Sequence, residues 1–158
     1  MKKGDFRSLP SEHFALEQLG IAYCIKSERE LMQEYTTHVP EGIFLMNGKV
    51  VSVEVKRIIG NWLPTEQNPD GRRRIIRRGQ IVWPWRSTIE SALRKSCSPA
   101  VLDYKVQIHY VAIVIPESLS EHHKSRLEKH IRQISTDTMI KTKVCIFEGP
   151  DQLFDRIH

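Results

Sequence analysis

Two carboxylates and a lysine stand at a spacing that could hold a cation and act on a phosphodiester. The stretch PEGIFLMNGKVVSVEVKR, residues 40–57, carries them as Glu41, Glu54 and Lys56. Asn47-Gly48 between them is a strong hairpin signal, because a two-residue type I′ turn needs positive φ at both positions. With these two residues as the loop, Met46 pairs with Lys49, and counting back from that pair sets Glu41 opposite Glu54. Directly opposed residues have Cβ atoms roughly 4.5–5.5 Å apart, and like charges there destabilise the sheet. Alternation puts Val51, Val53 and Val55 on one face and Ser52, Glu54 and Lys56 on the other. A divalent cation between the acids removes the repulsion. Mg²⁺ characteristically takes one or two carboxylates together with waters and substrate phosphate. Lys56 reaches the same place from the same face, where an ammonium can hold a phosphate or orient an attacking water.

These residues resemble the core of the PD-(D/E)xK nuclease superfamily, in which Pro-Asp opens one hairpin strand and a hydrophobic strand ending in (D/E)xK closes it. Glu54-Val55-Lys56 matches the closing half. Pro40-Glu41 takes the place of Pro-Asp, with one methylene more in the acid. The resemblance spans roughly residues 8–148 and implies an α/β, restriction-endonuclease-like αβββαβ core, a mixed central sheet flanked by helices. It implies a DNA endonuclease dependent on Mg²⁺ or Mn²⁺, with Glu41 and Glu54 as ligands joined by the Val55 backbone carbonyl, and Lys56 as the third catalytic residue. Many members add an acid from the first helix, for which Glu12 and Glu17 are the candidates. At about 100° per residue, Glu12 shares the face of Ala15, Leu16 and Leu19 while Glu17 points away, which favours Glu12. Two other readings stay open: a non-cleaving nucleic-acid-binding module of the same fold, and a subunit that cuts only within a larger transposase- or restriction-type assembly.

The elements that must position these residues follow from pattern. Ser8 or Ser11 can cap a first helix that stops at Gly20, and IAYCI, residues 21–25, reads as a strand. SERE at 27–30 has the form of a capping box, although Tyr35-Thr36-Thr37 drifts towards β. After the hairpin come a helix from Ser87 to about Ser96, a buried strand over 106–115, a charged amphipathic helix over 118–134, a strand over 143–147 and a terminal helix over 151–157. One domain is expected over residues 1–158, with a basic insertion or arm at about 58–86 that lacks periodicity and carries Pro64, Pro69 and Pro84.

Charge is regional. The chain is +5 overall, yet Arg57 to Lys95 holds nine basic residues against Glu66, Asp70 and Glu90. Such a segment on a near-neutral body is the footprint of a phosphate-backbone binder, with duplex or branched DNA as the expected partner. Arg57, Arg72, Arg73, Arg74, Arg77, Arg78 and Arg86 are the candidate contacts, and Trp62, Trp83 and Trp85 are read as anchors of the arm. A homodimer or a larger nucleoprotein assembly both fit. Cys24, Cys97 and Cys145 are odd in number and far apart, against a disulfide framework or a zinc ribbon. MKKGDFRS has no apolar run after it, so a cytoplasmic location is expected. His122, His123 and His130 fall on a helix expected to face solvent, and no P-loop or Ser/His/Asp order is present.

Overall fold

The computed structural model describes residues 10–36, 38–57, 75–77, 80–82, 84–118, 121–134 and 138–154. Helix α1 (Pro10–Leu19) opens on proline, which suits a first turn because its missing N–H has no helical partner there. It ends at Gly20 with φ +79, where Ile21 N–H donates to Leu16 O and Gly20 N–H to Glu17 O. This is the Schellman closure that a left-handed glycine permits. Strand β1 (Tyr23–Ser27) starts two residues later than the hydrophobic pattern suggests and runs straight into α2 (Glu28–Glu34). Ser27 and Glu30 form the reciprocal capping box, and it settles the ambiguous stretch as helix.

Strands β2 (Gly42–Met46) and β3 (Lys49–Arg57) form the expected hairpin, in the expected register from Met46↔Lys49 to Gly42↔Val53. Asn47 and Gly48 have φ 50 and 76, as a type I′ turn requires. The stretch read as an arm contains a small antiparallel pair, β4 (Ile75–Arg77) and β5 (Gln80–Val82). Helix α3 (Pro84–Arg94) begins earlier than the serine cap suggested, and a short turn (Lys95–Cys97) leads into α4 (Pro99–Asp103). Next come β6 (Ile108–Pro116), α5 (Glu121–Arg132), β7 (Lys141–Gly149) and a helical turn (Asp151–Phe154) at the start of the expected terminal helix, the rest of which lies outside the described residues.

Five strands make one mixed sheet in the order β1-β2-β3-β6-β7. The β1-β2-β3 half is antiparallel, whereas β6 pairs parallel to both β3 and β7. All nine residues of β6 are buried, the continuous apolar run expected of a central parallel strand covered on both faces. On one face α1 sets Ala15 and Leu16 against Phe44, Val51, Val53 and Tyr110. On the other, α3 and α5 bring Ile89, Ala92, Leu93 and Leu127 onto Val111, Ile113 and Ile115, while Leu31 of α2 and Ala100 and Val101 of α4 cover Ile43. Each fully buried Leu, Ile or Phe contributes about 1.5–3 kcal/mol. No helix among the described residues is long and apolar enough to cross a membrane.

Candidate active site

Glu54 faces the helical layer of α3. Its strand neighbours Val53 and Val55 turn to the other face, so alternation alone buries it, and its side chain is 3% exposed. Burial pushes its carboxyl above the ordinary 4.5, and Lys56 and Lys95 pull it back. Lys56 Nζ lies 3.8 Å and Lys95 Nζ 3.6 Å from the same oxygen, Glu54 Oε2. Lys56 is 30% exposed and stands towards solvent; Lys95 is 17% exposed and also donates to Val39 O at 2.9 Å.

Glu41 sits one residue before β2, where its backbone N–H donates to Val53 O at 3.1 Å. The next residue must be glycine, since a Cβ on Gly42 would collide with the Phe44 ring laid across it. Glu41 is half-buried overall, but its Oε2 is fully buried and has no hydrogen-bond partner among the described residues. Its group is pushed up to about 10, first by burial, then by a hydrogen bond with the Glu12 carboxyl and by the charges of Glu12, Glu54 and Glu28. Glu12 reaches this point from α1, half-buried on the same side of the helix as Ala15 and Leu16, while Glu17 is exposed.

The Val55 carbonyl takes its direction from the ladder. Val53 O points to the β2 side, and a period of two turns Val55 O to that side as well. The β2 ladder ends at Gly42↔Val53, so Val55 lies two residues past it, at the open end where Glu41 stands. Among the described residues no group of three or more His, Cys, Asp or Glu side chains is gathered into a ready-made metal cage. The acids come instead as Glu41 touching Glu12 on one side and facing the charge of Glu54 on the other.

Behind Glu54 a polar strut fixes α3. Ser52 Oγ lies 2.7 Å from His109 Nδ1, and His109 Nε2 lies 2.8 Å from Ala92 O. A carbonyl can only accept, so Nε2–H donates to Ala92 and Nδ1 accepts from the serine hydroxyl. Burial holds this imidazole down at about 4, neutral at ordinary pH. The strut ties β3 and β6 to the helix that ends beside Lys95.

The structure thus sets Lys56 beside Glu54, puts Glu41 within the field of Glu12 and Glu54, leaves Val55 at the open end of the ladder, and adds Lys95 against Glu54 and the charge of Glu28. Sequence reasoning missed both additions: Glu28 was visible only as part of a capping box, and Lys95 only as one charge in the basic segment. Arg57 ends β3, Arg77 lies in β4 opposite Gln80, and Arg86 lies in the first turn of α3. Arg72, Arg73, Arg74 and Arg78, together with Trp62 and Trp83, lie outside the described residues. Comparison of the chain with protein-family models, curated proteins and solved structures gave no match.

Proposed function

We propose that the protein is a metal-dependent endonuclease that hydrolyses phosphodiester bonds in DNA. One observation carries the reading: Glu41 Oε2 is buried without a partner among the described residues, in a carboxyl within the field of Glu12 and Glu54. A buried acceptor left unpaired costs about 1–3 kcal/mol, and more when its neighbours are acids. A hard cation is the ligand that such oxygens fit, and Mg²⁺ or Mn²⁺ would be held by Glu41, Glu54 and the Val55 carbonyl, with Glu12 at the rim. When bound, the cation supplies Lewis acidity, lowering the pKa of water and offsetting charge on phosphoryl oxygens. Lys56, on the solvent side of Glu54, donates to an incoming phosphate oxygen or orients the attacking water. The chain order α1, β1, β2, β3, α3, β6 supports the resemblance to the restriction-endonuclease-like core, with α2 as an addition between β1 and β2.

Supercoiled, linear and branched DNA incubated with Mg²⁺ or Mn²⁺ tests the reading. Wild type should cut. Lys56→Ala should lose cleavage by roughly 100-fold or more, in line with about 2.7–4 kcal/mol for a group acting on transition-state charge, while DNA affinity stays within a few-fold. Calorimetry should show cation binding that Glu54→Ala abolishes. If wild type cuts none of these DNAs and Glu41→Asp does not awaken it, the chain is a nucleic-acid-binding module of this fold.

A further inference from the structure

Beside the acids lies a hollow with a cation at its wall. Lys95, Glu28, Met32, Thr36, His38 and Val39 line an open cavity of about 600 Å³ at α2 and the chain entering β2. Small-ligand sites span roughly 300–1,000 Å³, so the cavity can take a group the size of a nucleotide. Its lining is mixed, with one ammonium, one carboxylate, a hydroxyl, an imidazole and the apolar Met32 and Val39. Lys95 belongs to two neighbourhoods at once, since it lines the cavity and lies 3.6 Å from Glu54 Oε2. A phosphate held by Lys95 would therefore neighbour one lying against Glu41, Glu54 and Lys56.

We propose that this cavity is a nucleotide subsite, which seats the nucleotide next to the bond to be cut, with Lys95 as ligand of its phosphate and Met32 and Val39 against its base. The assignment rests on the nuclease reading. The Glu28 carboxylate in the lining can accept from a base amino or sugar hydroxyl. Without a cation the charge of Lys95 is spent on Glu54. Were Glu54 to hold a divalent ion, the charge of Lys95 would be left for phosphate. Cation and nucleotide should then strengthen each other's binding by the same factor, because coupling is reciprocal.

Calorimetric titration with thymidine 5′-monophosphate, with and without Mg²⁺, tests the subsite in wild type, Lys95→Gln and Thr36→Glu. Glutamine keeps a donor for Val39 O but removes the charge, and Thr36 is exposed, so its replacement decides the matter if Lys95→Gln fails to fold. Each substitution should weaken the mononucleotide about ten-fold or more, as expected when a charged partner is removed or a repulsive one is added. Mg²⁺ should tighten it in wild type. Equal binding by all three proteins overturns the subsite, as does inorganic phosphate binding as tightly as the mononucleotide. DNA cleavage measured in parallel separates the two readings. Wild type that cuts DNA but binds the mononucleotide indifferently to both substitutions overturns the subsite alone. Lys95-dependent mononucleotide binding in a protein that cuts nothing supports the subsite and overturns the nuclease reading.

Discussion

Burial first, and then the neighbouring Glu12 carboxyl, raises the Glu41 carboxyl to about 10, so that in the fold it holds its proton. That proton has a consequence for stability. In the unfolded chain Glu41 ionises near 4.5, whereas in the fold its pKa is raised to about 10. The folded state binds the extra proton, so stability falls as pH rises from 4.5 towards 10. Glu41→Gln keeps the shape and removes the penalty. It should raise the thermal midpoint in chelator little near the acid end of that range and progressively more as the pH climbs through it, as scanning calorimetry can measure; a gain independent of pH would place the penalty elsewhere. The hairpin register was legible because a two-residue turn fixes it. The ladder ends at Gly42↔Val53 and Glu41 N–H donates to Val53 O, so the expected opposition of Glu41 and Glu54 is not a ladder pair. The place of Lys95 was not legible, because only the packing of α3 onto β3 and β6 brings it to Glu54. His109 sat unnoticed in an apolar run, since nothing local distinguishes a core histidine with two partners from a surface one.

At the scale of elements, the hairpin carries the site and two glycines carry the hairpin. Gly48 holds φ 76, where an L side chain costs roughly 1–2 kcal/mol. Gly42 lies under the Phe44 ring, and overpacking of that kind costs roughly 1–3 kcal/mol. Urea denaturation of Gly48→Ala and Gly42→Ala should give losses of those sizes. Only Gly42→Ala, adjacent to Glu41, should also weaken cation binding. The strands and longer helices were legible from alternation, caps and breakers. Misreadings clustered where local signals compete. β1 slides two residues because pairing with β2 decides its ends, α3 starts at Pro84 because proline suits a first turn, and α4 is too short for any period to show. The β4–β5 pair escaped notice because three-residue strands leave no alternation to read.

Across the whole molecule the net charge of +5 is an average over a near-neutral body and one basic stretch. The stretch leaves the sheet at Arg57, beside Glu54 and Lys56, and returns through α3 to Lys95, so both its ends reach the acid cluster. Replacing Arg72, Arg73 and Arg74 together by alanine should weaken DNA binding alike for all sequences. The log–log salt slope should fall by about 0.9 for each phosphate no longer engaged, and an unchanged slope would take these arginines off the backbone. The mixed sheet also bears on the order in which the protein assembles. Its antiparallel half closes through local turns, and a hairpin of this kind forms in roughly 1–10 μs. The parallel half must wait for the connection over residues 58–107 to close, a slower search for non-local pairings. Glu41 and Glu54 stand just past the last ladder pair, Gly42↔Val53, at the end of the hairpin farthest from its turn. Their carboxylates can therefore remain hydrated and ionised until α1 and α3 dock.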